Sequence, residues 1–279
     1  LKDEPGFTVG IYDTNAFYFL SMNLDPAHTT LFEDVRTRQA LAYALDRQSV
    51  VDNLLLGYGE VAQGSQATLS IAYAPDKIQT HYDYNPEKAK QLLADAGWTD
   101  EDGDGVVELN GQKLAFSLVY GGGEAFWDQL AAYIQEAYAA IGAAMTPEPV
   151  DFSTVLLPII VGTPPTYDYE MLGTSFGWDF SGDQSGMFGT AAYEVGFNFM
   201  KYSNPDVDKL YEQASLELDP EKRIGYLVEA TNLVNEDIPM NVLIFIKQMT
   251  AYSSRLQNYT PNYTGGIFWS LPYVWLSES

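Results

Sequence analysis

The chain has 279 residues, of which 46 % are hydrophobic and 14 % aromatic; these are enough apolar side chains for a folded core and too many for a disordered chain. Acidic residues outnumber basic ones by 38 to 14, and the resulting net charge of −24 repels a phosphate backbone, which argues against a nucleic-acid partner. The absence of cysteine excludes disulfide frameworks, thiolate metal sites and cysteine nucleophiles.

The first part of the chain predicts a strand followed by two helical segments. Phe7–Asn23 is rich in Phe, Tyr, Val and Ile, which favours one long or broken strand. Asp34 can cap a helix over Val35–Leu45, because the apolar residues there recur at the helical period, and Ser49–Leu56 continues as a second segment.

Three later helices are predicted by their first residues. Asn85, Asn204 and Asp219 each precede a proline, and proline fits the first turn of a helix because the amide hydrogen it lacks would have no partner there. The first of these helices ends near Gly97, which can adopt the left-handed conformation, and the second reaches about Leu218.

Short β-prone segments alternate with helices in the remaining sequence. Because strands and helices alternate along the chain, we predict an α/β fold. The predicted strands are Lys113–Tyr120, Ala143–Val150, Tyr167–Leu172 and Met240–Ile246, the predicted helices between them are Ala125–Ile141 and Ser153–Ile160, and Asn258–Ser279 is predicted to be an irregular returning segment.

An acidic segment resembles a calcium-binding loop. Carboxylates stand at loop positions 1, 3, 5 and 9, and glycine at position 6 allows the sharp turn that brings alternate side chains together. Position 12, where an EF-hand has glutamate, is Gly111, and the alternative is a solvated acidic turn that joins two strands. The candidate ligands of a structural Ca²⁺ are Asp100, Asp102, Asp104, Val106 and Glu108.

Catalytic motifs are scarce, whereas aromatic residues are concentrated near one loop. His28 and His81 are isolated in the sequence, and Asp179 with Asp183 is only one of many carboxylate pairs that could be nominated for glycoside hydrolysis. Phe176, Trp178, Phe180 and Phe188 lie among glycines. Such a segment is typical of a recognition wall, although the rings could also merely cover the end of a sheet.

Four motifs follow one another along the chain. The strongest is FEDVRTRQALAYALDR at Phe32–Arg47. The others are Tyr84–Leu93 with Ala96-Gly97-Trp98, Asp102-Gly103-Asp104-Gly105, and Tyr202–Leu210. In this order they resemble the bacterial extracellular solute-binding proteins of family 5, the oligopeptide-, dipeptide- and nickel-binding proteins of ABC importers.

This resemblance implies an architecture and a location. The fold would be the C-terminal lobe of a periplasmic-binding-protein-like (type II, cluster C) protein, with a mixed sheet flanked by helices. Residues 1–255 would form the ligand-binding lobe, and residues 256–279 would return toward a first lobe encoded upstream, together with the signal peptide and any lipid anchor. The protein would be extracytoplasmic, periplasmic or lipid-anchored at the cell surface.

The resemblance also implies binding without catalysis. The protein would be a monomer that closes on a small solute and presents it to an ABC permease, with no required cofactor. A single lobe carries only part of the contact set, so we expect the isolated chain to bind ligand weakly or not at all.

The family's ligand contacts fall at two places in this sequence. The first is the entry of the first strand, and the second is the loop after the strand predicted at Tyr167–Leu172. In many members Gly-Trp opens that loop, an acid follows and Asp-Pro comes later. This sequence departs from that order, because Thr174 follows Gly173, Trp178 comes four residues further on, Asp179 precedes Phe180 and Asp183 precedes Gln184. The implied ligand-binding residues are Asn15, Phe17, Tyr18, Gly173, Thr174, Ser175, Trp178, Asp179 and Asp183.

Several ligand classes remain open on the sequence. An acid in the loop would pair with the α-ammonium of a peptide, whereas stacking on Trp178, Phe17 and Phe180 would suit an oligosaccharide. Nickel is disfavoured because the two histidines are scattered. A glycoside hydrolase or lectin-like module that uses the same aromatic loop is the alternative from a different class.

Overall fold

The computed structural model describes residues 5–162, 168–264, 266 and 268–277. The strands are β1 (Phe7–Met22), β2 (Gly59–Val61), β3 (Glu108–Leu109), β4 (Gln112–Lys113), β5 (Ala115–Gly121), β6 (Ala144–Val150), β7 (Met171–Gly177), β8 (Met240–Ser253), β9 (Leu256–Gln257) and β10 (Trp275–Leu276). The α-helices are α1 (Val35–Tyr43), α2 (Arg47–Asn53), α3 (Pro86–Asp95), α4 (Ala125–Ala139), α5 (Leu157–Val161), α6 (Ser185–Phe188), α7 (Pro205–Leu216) and α8 (Pro220–Asp237).

A mixed six-stranded sheet forms the centre of the fold. Its strand order is β2-β8-β1-β7-β5-β6. Strand β5 pairs in parallel with β6 and β7, whereas β1 pairs antiparallel with β7 and β8. The predicted α/β class with a mixed sheet flanked by helices is confirmed.

Helices cover both faces of this sheet, because alternate residues of the central strands are apolar on both sides. Leu20 and Met22 of β1 belong to a core with helices α1 to α4. Phe17 and Phe19 point to the opposite face and belong to a second core with α5 to α8. The sheet is therefore buried between two helical layers, as is usual when parallel strands are present.

Two buried arginines of the Phe32–Arg47 motif hold the first layer together. The guanidinium of Arg47 donates hydrogen bonds to the carbonyls of Ala62, Tyr82 and Val242 at 2.8 to 3.2 Å. Burial lowers the pKa of Arg47 to about 10. Arg38 binds three further carbonyls in the same way. This part of the motif stabilises the fold because the two guanidinium groups donate hydrogen bonds to carbonyls of several segments that meet there.

Several predicted elements differ from the structure in extent, among them the helix predicted at Ser49–Leu56, which runs over Arg47–Asn53. The strand predicted at Tyr167–Leu172 runs instead over Met171–Gly177, and Tyr167 lies outside the described residues. The helix predicted at Ser153–Ile160 begins as a π-turn at Phe152–Leu156 before α5. The strand predicted to end at Ile246 continues to Ser253, because it pairs with the first half of β1.

Strands β1 and β8 extend beyond the sheet as a two-stranded ribbon. Strand β7 pairs with β1 only from Ala16 onward, whereas β8 follows β1 out to the pair Phe7↔Ser253. The register shifts between Asp13 and Phe17, where the ribbon leaves the sheet. Within the described part of the chain, no helix has both the length and the apolar character needed to cross a membrane.

Candidate ligand-binding site

The carboxyl ends of β5, β6 and β7 meet at one edge of the sheet. Because β1 runs antiparallel to β7, its residue Ala16 lies opposite Gly177 at the same edge. Ligands of open α/β sheets bind outside the carboxyl ends of the parallel strands. The predicted site residues on β1 and β7 are therefore carried to the edge where a ligand site is expected.

The position of the loop corrects the sequence analysis. Strand β7 continues through Gly173, Thr174 and Ser175 and ends at Gly177. The loop therefore opens with Gly177-Trp178, an acid follows at Asp179, and a second acid comes later at Asp183. Counted from Gly177, the order that the resemblance implies is found, and the departure that remains is Gln184 in place of the final proline. The rest of the departure arose because the end of the strand was predicted too early.

Asn15 ties this loop to β1. Its side-chain nitrogen donates hydrogen bonds to the carbonyls of Trp178 and, at 2.6 Å, Asp179. Asn15 is buried, and its Oδ1 atom has no hydrogen-bond partner among the described residues. The amide group therefore positions the loop backbone.

The loop is also held by its own side chains. The indole nitrogen of Trp178 donates to the carbonyl of Asp183 at 2.6 Å, and its ring lies 5.8 Å from those of Phe176 and Phe197. The Oδ1 atom of Asp179 accepts hydrogen bonds from the backbone and hydroxyl of Ser181. Both bonds use the same carboxylate oxygen. Because Asp179 is exposed, its charge lies on the surface, next to the carboxyl ends of the strands.

A second aromatic cluster lies on the α4 face of the edge. The ring of Tyr18 is 4.4 Å from Phe126 and 5.8 Å from Trp127, centroid to centroid. Burial, together with the charge of Glu124, raises the pKa of Tyr18, so its hydroxyl keeps its proton at neutral pH. Gly173 faces Trp127 at close range, since a Cβ built there would lie 2.7 Å from the ring.

Phe17 does not belong to either of these two aromatic clusters. Its ring has no exposed surface and packs against Phe19 in the second core, 5.9 Å away. In this structure it offers no face to a ligand, and we leave it out of the proposed ligand set.

The C-terminal segment reaches the same edge, which the sequence did not indicate. The ring of Tyr263 lies 6.0 Å from that of Phe180, and its hydroxyl approaches Gly177. Nearer the ribbon, Tyr259 packs on Tyr252 with 4.6 Å between ring centroids. The contacts of Tyr263 join residues more than 80 positions apart in the chain, so they depend on the whole fold.

The acidic loop lies at the other end of β5, because the β3–β4 hairpin leads into the first residue of that strand. One oxygen from each of Asp100, Asp102 and Glu108 lies within 4.8 Å of the others. Asp104 contacts Lys113, and the amide of Val106 donates to Asp104. The two histidines are apart from this cluster: His28 lies 4.0 Å from Glu170, and His81 contacts the carbonyl of Ile78.

Comparison with known proteins agrees with this description. The family model of bacterial extracellular solute-binding proteins, family 5 (middle region), matches residues 1–199. The chain is 32 % identical over 231 residues to the oligopeptide-binding protein AppA of Bacillus subtilis, a match that covers 82 % of this chain and 42 % of AppA. It is 37 % identical over 142 residues to the nickel-binding periplasmic protein of Escherichia coli, covering 51 % of this chain and 26 % of that protein.

Solved structures show the same fold. The structure of Bacillus subtilis AppA in complex with a nonapeptide matches with a TM-score of 0.86 and 27 % identity, over 99 % of this chain and 54 % of that one. NikZ of Campylobacter jejuni in complex with Ni(L-His) matches with a TM-score of 0.81 at 24 % identity, over 98 % and 54 % of the two chains. The chain thus spans less than half the length of the curated relatives described here.

Proposed function

Because the chain belongs to the bacterial extracellular solute-binding proteins of family 5, which serve ABC transporters, we propose that it is the second lobe of a two-lobed protein that closes on a peptide-like solute. Its relatives are substrate-binding proteins and not enzymes, so a glycoside hydrolase is no longer a candidate. The family implies an extracytoplasmic location, and we propose the periplasm or a lipid anchor at the cell surface as the alternatives.

The observation that carries this proposal is the ribbon of β1 and β8. It leaves the sheet at the edge that also carries the loop from Trp178 to Asp183. A ribbon in that position can continue into a second lobe that faces this edge. A solute held at the edge would then touch both lobes only when they close, and it would stabilise the closed form by its contacts to the second lobe.

The groups at the edge suit a peptide. Ser175 and Asp179 are exposed there and offer a hydroxyl and a carboxylate, while Tyr18 and Trp178 offer partly buried rings. We propose that Asp179 or Asp183 pairs with the α-ammonium of the solute, since a charge-assisted hydrogen bond fixes the register of a peptide. The net charge of −24 favours the approach of a cationic group.

We propose that residues 256–279 pack against the first lobe. This segment closes on itself by the pairing of β9 with β10, and it contacts residues 1–255 through the hydrogen bond from the Ser277 amide to the Arg255 carbonyl at 2.9 Å and through the ring contacts of Tyr259 and Tyr263. Large apolar side chains nevertheless remain exposed on it, among them Phe268 at 69 %, Tyr273 at 70 % and Trp275 at 56 %. Exposed apolar surface of this kind marks an interface, and the other half of a protein about twice this length is the occupant that fits.

The closed form would be the shape recognised by the permease. In this mechanism the chain forms and breaks no covalent bond. Binding energy is used to shift an equilibrium between open and closed lobes, and the protein would act as a monomer. One lobe alone loses the contacts that favour closure, so its affinity for the solute would be low.

Native mass spectrometry of the protein that carries both lobes tests the ligand class. The protein would be incubated with a random nonapeptide mixture, with maltooligosaccharides and with Ni(L-His) in separate samples. We expect peptide adducts at one per protein and none from the other two samples. Selective retention of maltooligosaccharides would instead support stacking on Trp178 and Phe180, and retention of Ni(L-His) alone would support metal-chelate transport.

A pair of variants tests the role of the acidic loop. Asp179→Asn keeps the Oδ1 acceptor that Ser181 uses and removes only the charge. It should weaken binding of a retained peptide by about tenfold, and N-acetylation of the peptide should abolish that difference. Glu229→Gln, an exposed acid of α8, is the control and should bind like the wild type. If Asp179→Asn binds normally, the same comparison with Asp183→Asn identifies the alternative acid.

A further inference from the structure

The acidic loop has no part in the proposed solute site, from which it is separated by the length of β5. We propose that it holds a calcium ion that stabilises the lobe. The ligands would be carboxylate oxygens of Asp100, Asp102, Asp104 and Glu108.

The spacing of the carboxylates fits one ion. Oxygens of Asp100, Asp102 and Glu108 lie within 4.8 Å of one another. Two oxygens that bind the same Ca²⁺ at 2.3–2.6 Å can be at most about 5 Å apart. The three groups therefore already have the separation that shared coordination requires.

Glu108 supplies an independent indication of a ligand. It is only 5 % exposed, and its Oε2 atom accepts a hydrogen bond from the amide of Glu101 at 2.9 Å. Its Oε1 atom is buried and accepts no hydrogen bond from the described residues, and the nearest cationic atom is Lys113 Nζ at 3.4 Å. A buried carboxylate oxygen without a hydrogen bond is unfavourable, whereas coordination of a cation would satisfy it.

Lys113 neutralises only part of the negative charge of the four carboxylates. Its ammonium lies 3.0 Å from Asp102 Oδ2 and 3.4 Å from Glu108 Oε1, and it also contacts Asp104. One positive charge thus faces four carboxylates. The lysine side chain is 38 % exposed, so it can turn toward solvent on its flexible stem. A divalent ion would replace its single charge with two.

The loop connects α3 to the sheet. Thr99 and Glu108 exchange two backbone hydrogen bonds, at 2.7 and 2.9 Å, which close its base. An ion inside this closed loop would therefore lock the connection, and its effect would be on stability and not on affinity for the solute. Calcium is favoured over magnesium because Ca²⁺ accepts the flexible geometry of loop carboxylates, whereas Mg²⁺ demands a near-ideal octahedron and keeps several of its waters.

Calorimetric titration of the EDTA-treated 279-residue chain with CaCl₂, together with thermal unfolding, tests the proposal. We expect one site per chain and a saturable rise in Tm. Asp102→Asn, at an exposed position, should weaken calcium binding by about tenfold or more, and Glu229→Gln should leave it unchanged. Lys113→Gln should lower the Tm without calcium and strengthen calcium binding a few-fold, because no ammonium has to be displaced.

Three results would overturn the proposal. The first is the absence of any saturable heat or Tm shift in both the wild type and Lys113→Gln, which would make Lys113 the permanent counter-ion. The second is an equal response to MgCl₂, which would indicate general charge screening. The third is a loss of affinity in Glu229→Gln as large as that in Asp102→Asn. All three readouts are independent of solute binding, so they leave the proposed transport function untouched.

Discussion

Two glycine-to-alanine variants add the same methyl group and should change stability in opposite directions. At Gly173, a Cβ would lie 2.7 Å from the Trp127 ring, whereas carbon atoms in contact prefer about 3.5–4.0 Å. The ring or the strand must therefore move by about 1 Å. At Gly225, within α8, a Cβ meets no atom within 4 Å.

The expected magnitudes follow from these surroundings. Trp127 is 4 % exposed and packs against Tyr18 and Tyr120, so overpacking by Gly173→Ala should lower the free energy of unfolding by about 1–3 kcal/mol. Gly225→Ala should raise it by about 0.5–1 kcal/mol, because glycine is unfavourable in a helix interior.

Urea unfolding followed by circular dichroism measures both values. The wild type and both variants must show the same slope against urea, so that a shift in midpoint reports stability. The close packing of Gly173 against Trp127 would be refuted if Gly173→Ala were as stable as the wild type, or if both variants lost stability equally.

Three further predictions concern buried polar groups and pH. Asn15→Ala should lower the free energy of unfolding by about 1–3 kcal/mol in urea, because two loop carbonyls lose their donor, and an unchanged midpoint would contradict this. Arg47→Met removes a buried donor that bonds three carbonyls and should cost about 3 kcal/mol in the same assay, so a loss below about 0.5 kcal/mol would refute the assigned role. The hydrogen bond from Lys201 lowers the pKa of Asp25 below its usual 3.8, so Asp25 stabilises the fold above that pH and loses this effect as the pH falls further. The urea midpoint of Asp25→Asn should therefore decline less steeply than that of the wild type below pH 4. Equal slopes would contradict the pairing.

The helix starts could be predicted because they depend on neighbouring residues. Asn85 caps α3 by accepting from the amide of Lys88, and Asp219 caps α8 by accepting from Glu221, as the Asn-Pro and Asp-Pro pairs predicted. The chemistry of a cap lies within four residues, so no tertiary contact is needed to recognise it.

The extent of the strands depends on partners far away in the chain. Strand β7 continues to Gly177 because β1 pairs with it there, although its last residues lack the apolar alternation that marks a strand. The second half of β8 is likewise defined by pairing with the start of β1. The start of the loop after β7 was predicted too early for this reason, and the loop begins after Gly177, with Trp178 as its first residue.

The roles of individual site residues were the least predictable. Phe17 and Tyr18 are neighbours in sequence, yet β alternation places one in a core and the other beside Phe126. Asn15 acts through a loop about 160 residues away. Neither the direction of a side chain nor such a tether can be read from composition.

The proposed function requires that this chain be one of two lobes that both contact the solute. Titration calorimetry with one nonapeptide retained by the two-lobed protein tests it most directly, when the same peptide is titrated into the 279-residue chain alone. We expect at least about hundredfold weaker binding to the single chain, because the contacts from the opposite lobe are missing. Equal affinity of the two proteins would contradict it, since the chain would then contain a complete binding site of its own.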